Sequence, residues 1–210
     1  MLLEQKFLYE KKNPIPKMAK KEKKRKLNSF LVLAISFIMV SSIIGFLYSG
    51  RNNQFKYNGI NFKRDSNSNE WYFVINNKRF VFNYFPSEVE LINISPDIMG
   101  RIKDTPEIDV TSDLNDSFEE EIALAKYNMA LTLGNLNVYL RNGFTTNNSF
   151  GLPIITCDNA SLYVPVIYFK SSNRTRIYLM NDCIIADAKE PYDVLRIKDR
   201  ILYSLLGVMG

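Results

Sequence analysis

Apolar and polar residues are distributed very unevenly along this chain. From Phe30 to Tyr48 nineteen residues pass without a charge, a proline or a side-chain amide. At about 1.5 Å per residue such a run spans roughly 28 Å, close to the ~30 Å hydrocarbon thickness of a bilayer. The pattern predicts a transmembrane helix over 27–50, with a short polar linker over 51–54. Beyond it the period drops to two. FKYNGINF (55–62), WYFVI (71–75) and KRFVFNYF (78–85) alternate around the Asn58-Gly59 and Asn76-Asn77 pairs and predict a small antiparallel meander. Its aromatic residues are expected to pack as core in preference to forming a binding platform.

Pro86 opens a short helical turn, and Ser95-Pro96 starts a second short helix. EIDVT (107–111) is a predicted strand. Ser117 with Glu120 reads as a capping box for a helix running to Gly134, with Phe118, Ile122, Ala125, Met129 and Leu133 on one stripe. Strands are then predicted at 136–144, 152–157, 162–170 and 176–189, the third restricted to an edge or a bulge by Pro165. A final helix opens at Asp193, with Val194, Leu195, Ile197, Ile201, Leu202, Leu205 and Val208 on its apolar face, expected to dock on the domain's own sheet. The fold class that follows is α+β: one N-terminal transmembrane helix, then an antiparallel-sheet domain over 55–210. That domain is an N-terminal β-meander followed by β-α-β-β-β-β-α, with helices packed on the sheet.

Charge adds an orientation. Residues 1–26 hold ten Lys or Arg against three Glu, a net of +7, whereas the remaining chain balances 17 basic against 19 acidic residues. A basic cluster ahead of a span, with little behind it, places the N-terminus in the cytoplasm and the larger domain outside. Lys20, Lys21, Lys23, Lys24, Arg25 and Lys26 are then expected to contact anionic lipid headgroups. Without interleaved aromatics, KKEKKRK does not point to nucleic acid. The length of the apolar run and the bulky residues Phe46, Leu47 and Tyr48 at its exit argue for an uncleaved signal anchor rather than a removed signal peptide.

Histidine is absent from the chain, which removes imidazole-based catalysis and most zinc sites. Neither a GxxxxGK[ST] loop nor a GxGxxG turn occurs. Asp109 and Asp113, straddling a strand end, with Asp158, Asp182 and Asp187, are the carboxylates available for acid–base work or a hard cation, but ordinary solvated turn roles are the preferred reading and no catalytic or metal residue is assigned. No cofactor is expected. Cys157 and Cys183 are the two cysteines, candidates for one disulfide in an exported domain or else a buried reduced pair. Asn-x-Ser/Thr acceptors stand at Asn93, Asn115, Asn147, Asn159 and Asn173, all after the span, and are candidate glycosylation sites.

The segments YNGINF…WYFVINNKRFVFNYFPSEVELINIS, LRNGFTTNNSFGLPIITC, VPVIYF, CIIADAK and DVLRIKDRILYSLLGVM resemble a group of single-span membrane proteins of small-genome archaea, to which no activity is attached. The resemblance implies an archaeal envelope setting and nothing about chemistry. The expected function is a membrane-anchored extracytoplasmic interaction or accessory-subunit module with an envelope protein partner and without catalysis. A pilin-like structural protein and a carboxylate-dependent envelope hydrolase are the alternatives.

Overall fold

The computed structural model describes the backbone of residues 17–49 and 54–209 and the side chains of 29–45 and 55–209. Two compact units divide the chain, Met1–Asn52 and Asn53–Gly210. In the first, helix α1 covers Lys17–Ser49. It begins inside the basic tail rather than at 27, since KKEKKRK consists of good helix formers with no glycine or proline to stop it. Its described apolar side chains are exposed on all sides, Phe30 at 69% and Phe37 at 75%. Among the described residues no helix is long and apolar enough to cross a membrane; of the predicted span, side chains are described only over 29–45. The side chains of Lys20, Lys21, Lys23, Lys24, Arg25 and Lys26, and the whole of 1–16 and 50–53, lie outside the described residues.

The second unit is α+β. Its meander, β1 (Gln54–Tyr57), β2 (Ile60–Arg64), β3 (Trp71–Ile75) and β4 (Lys78–Phe82), pairs antiparallel in sequence order. Asn58 and Gly59 have φ of 43° and 83°, and Asn76 and Asn77 of 49° and 61°. Two successive left-handed residues are what a tight hairpin turn demands, and asparagine and glycine supply them. Phe62, Trp71, Phe73, Phe80 and Phe82 are buried, so these meander aromatics are core. Two short helices follow, α2 (Pro86–Val89) and α3 (Pro96–Ile102), each with proline in its first turn as expected.

A second sheet has the order β6-β5-β7-β9-β8, built from β5 (Glu107–Ser112), β6 (Tyr139–Asn142), β7 (Val166–Ser171), β8 (Arg176–Met180) and β9 (Cys183–Ala188). The antiparallel expectation holds here only for β8–β9; β6–β5, β5–β7 and β7–β9 are parallel. The connections explain this: helix α4 (Glu119–Asn135) carries β5 over to β6, and the long segment 143–165 carries β6 back to β7, each long enough for a parallel return. β9 is buried along its whole length, as a central strand covered on both faces must be.

Five local expectations are corrected. The stretch 176–189 is a hairpin, turning at Asn181 with φ 55°. The 152–157 segment is a lone bridge, Phe144 to Ile154, followed by a 3-10 turn at Cys157–Asn159. Pro165 precedes β7, which is central rather than at an edge; its carbonyl accepts from Asp109 N at 3.0 Å. No capping box forms at Ser117 either. Asp116 Oδ1 accepts from Phe118 N (2.8 Å), while Asp116 Oδ2 accepts from Ser171 N (2.9 Å), so one carboxylate both starts α4 and holds the end of β7. The left-handed residue past α4 is Asn137, not Gly134.

Helix α5 (Pro191–Leu205) buries Val194, Ile197, Ile201 and Leu202 as expected and packs against β9 and α4. Tyr203 stacks on Phe82 with ring centroids 4.1 Å apart, so α5 also carries the meander. α4 buries Ile122, Ala125, Met129 and Leu133, the expected stripe, in the same core.

Candidate functional site

The two faces of the five-stranded sheet differ in what they do with charge. On the face away from α4, Asp109, fully buried, receives Arg141 in a bidentate pair, Nε to Oδ1 at 2.8 Å and Nη2 to Oδ2 at 2.6 Å. Asp187, also buried, is met by Arg176 Nε at 2.8 Å and by Lys170 Nζ at 3.7 Å. Asp113 accepts from Tyr168 Oη (2.7 Å) and Thr145 Oγ1 (2.5 Å). Burial first, and then the contact with Asp113, push the Tyr168 hydroxyl far up from its ordinary value. Asp182 pairs with Arg101 at 2.7 Å, and Asp158 is exposed in the 3-10 turn. The sequence candidates are therefore not brought into one cleft: four carboxylates are engaged by cations or hydroxyls, and no metal-like cluster of three occurs among the described residues.

The remaining half of that face is covered by the 143–165 segment. Thr111 Oγ1 donates to Ile155 O at 2.7 Å. Cys157 and Cys183 are joined in a disulfide, with Cα atoms 5.2 Å apart, pinning the segment to the first residue of β9. Gly143 makes the crossing possible: a Cβ there would meet Pro153 O at 2.6 Å and the Ile155 side chain at 2.7 Å.

The opposite face, at the carboxyl ends of β5 and β6, holds a cleft of about 770 Å³. Its walls are Leu114, Tyr127, Leu140, Phe144 and Phe150, and Glu119 and Glu120 line it from the first turn of α4. On the inner side lies Lys126, only 4% exposed. Its Nζ donates to Ser112 Oγ at 2.8 Å and Gly143 O at 3.0 Å and lies 4.8 Å from the Phe144 ring centroid. Among the described residues no carboxylate lies within ion-pair distance of it. Desolvation with nothing to offset it pulls the amine down to about 8. Asn142 stands on the same wall, and its Oδ1 is sealed from solvent with no hydrogen-bond partner among the described residues.

Chemically, the cleft can present one desolvated positive donor to an occupant with apolar bulk. Its volume is in the ordinary range for small-molecule sites, and the mouth of parallel strands is a usual place for one. Lys126 and Asn142 were not among the sequence candidates. The available signal was that Lys126 is the one charged residue from Ile122 to Gly134, one turn from Ile122 on the stripe the helix buries. All five sequon asparagines, Asn93, Asn115, Asn147, Asn159 and Asn173, are exposed. Asn115 also lines the cleft, and Asn159 Oδ1 accepts from Thr156 N at 2.7 Å. Comparison with protein-family models, with curated proteins and with solved structures finds no match.

Proposed function

We propose that this chain is a membrane-anchored recognition module that binds a small organic ligand in the Lys126 cleft, without itself catalysing a reaction. The observation that carries this reading is a buried ammonium left, among the described residues, without a counter-ion beside an open, apolar-walled cavity. A lysine kept only for stability would be better replaced by a methionine or paired with a carboxylate; here its charge is left for something else to neutralise. The proposed anchor is the apolar run 27–50, supported by the apolar side chains that α1 exposes all round, a distribution that suits lipid and not water. The basic tail then sits at anionic headgroups on the cytoplasmic side, and the second unit faces outward as an accessory subunit of an envelope assembly.

The test uses the full chain in detergent and small carboxylates, amines and neutral aromatics as probes. Carboxylates are expected to raise the thermal midpoint of the wild-type protein but not of Ala130→Trp, whose added ring occupies the cleft while keeping Lys126. Equal shifts in both proteins, or none from any probe class, would refute the site. Orientation is tested separately by protease added to intact cells, which is expected to cut beyond Arg51.

A further inference from the structure

At the inner side of the cleft two donors stand together. Lysine has three N–H donors; Lys126 uses two on Ser112 Oγ and Gly143 O, leaving one. Ser112, the last residue of β5, is buried and lines the same cleft. Its Oγ accepts from Lys126, and among the described residues its own O–H meets no acceptor. A hydroxyl that already accepts from a cation is polarised toward donating. Nζ and Oγ are 2.8 Å apart, so the oxygens of one ligand head can accept from both. The Phe144 ring centroid lies 4.8 Å from Nζ, so the apolar wall begins at the head and continues through Leu114, Leu140 and Phe150.

The rest of the lining limits charge. Among the residues lining the cleft Lys126 is the one cation, set against Glu119 and Glu120. Those glutamates, exposed in the first turn of α4, also offset the positive end of that helix, which would otherwise suit a phosphate. One negative charge on an occupant is matched, and a second is not. Resting on the reading of the cleft as a binding site, we propose that its ligand class is an apolar monocarboxylate, whose head accepts from Lys126 Nζ and Ser112 Oγ and whose tail lies against Phe144 and Phe150. Glu119 and Glu120 act as a charge filter against dianions. Two sources share this chemistry, a straight-chain alkanoate and an aryl-alkanoate.

Isothermal titration calorimetry at neutral pH and low salt, on the full chain in one non-ionic detergent, separates the requirements. Octanoate represents the first source and 4-phenylbutyrate the second; at least one is expected to bind, and the tighter identifies the source. Octanamide, which lacks the charge, is expected to bind at least ~10-fold more weakly, as sites built around buried polar groups reject analogues that leave them unpaired. Butyrate, with the same head and half the tail, is expected to lose at least ~10-fold through the apolar surface it cannot bury. Octyl phosphate, close to dianionic at neutral pH, is expected to bind more weakly than octanoate, and Glu119→Gln with Glu120→Gln to narrow that gap, an effect that added salt screens. Lys126→Met and Ser112→Ala are each expected to weaken octanoate by ~10-fold or more, the loss of a hydrogen bond to a charged group. Should octanamide or butyrate bind wild type as tightly as octanoate, the apolar-monocarboxylate class is overturned, while loss of that binding in Ala130→Trp leaves the cleft itself standing. Equal binding of octyl phosphate and octanoate overturns the charge filter. If neither apolar acid binds although other carboxylates give thermal shifts that Ala130→Trp removes, the ligand class again falls alone; if no probe of any class responds, both readings fall.

Discussion

On one face of the five-stranded sheet buried carboxylates meet cations: Arg141 grips Asp109 with two hydrogen bonds and Arg176 grips Asp187 with one. On the other, Lys126 is also buried and, among the described residues, meets only neutral oxygens and a ring. The difference lies in the chemistry and not the depth. A paired buried charge holds strands in register, and removing one partner strands the other; an unpaired buried charge lowers the stability of the native state and is retained when an occupant needs it. The first face thus reads as structure and the second as a site.

The largest expected effect comes from breaking a pair. Arg141→Ala removes the partner of a buried Asp109, and because the Arg141 side chain is itself 46% exposed the expected cost is about 3 kcal/mol, the low end for a broken buried pair, read as a lowered urea midpoint by the fluorescence of Trp71, which sits in the meander core. Next is the cover of the same face. Replacing Cys157 and Cys183 together by alanine, across a separation of 26 residues, is expected to cost about 3 kcal/mol and to abolish the mobility difference between reduced and non-reduced samples.

Lys126→Met is expected to go the other way. With the folded-state amine held at about 8 by burial and the unfolded one near 10.4, the native state carries the full desolvation cost at pH 7, on the order of 3 kcal/mol. Lost hydrogen bonds to Ser112 and Gly143 offset part of this, so a gain of about 1–2 kcal/mol is expected at pH 7. The sign of the pH dependence follows from which state binds more protons. Between about pH 8 and 10.4 the native lysine has released its proton and the unfolded one has not, so wild type gains stability as pH rises and the advantage of the methionine variant shrinks. Glu119, Glu120 and Tyr127 line the same cleft and are common to both proteins, so the difference between their urea curves isolates Lys126. Smallest is Asp116→Ala, expected to cost about 1 kcal/mol through the lost start of α4 and the loosened end of β7; a cost under ~0.5 kcal/mol would show that Asp116 links nothing.

How much of this was legible beforehand differs by element. Both meander turns and the burial stripe of α4 were readable because each rests on local chemistry: asparagine and glycine at left-handed positions, apolar residues one turn apart. Parallel pairing was not, since strands buried on both faces lose the alternation that marks direction and register, and Asn181 went unread as a turn inside an otherwise apolar run. Asp109 and Asp187 read as solvated turn carboxylates, whereas both are buried; the cations that neutralise them come from other strands and so leave no mark nearby in the sequence. Lys126 is not marked by the sequence because Ser112 and Gly143, its hydrogen-bond partners, are 14 and 17 residues away, brought near only by the crossover. The cysteine pair was suggested by its number and setting, and the structure joins it.

The most direct measurement follows the Lys126 side chain itself, through the pH titration of its Cε chemical shift in the full-length protein, assigned by its disappearance in Lys126→Met. A midpoint near 8 is expected in the empty protein, moving upward when a saturating carboxylate ligand supplies the missing counter-ion. A midpoint near 10.4 that no carboxylate moves would mean that the ammonium is already solvated and that nothing is meant to pair with it.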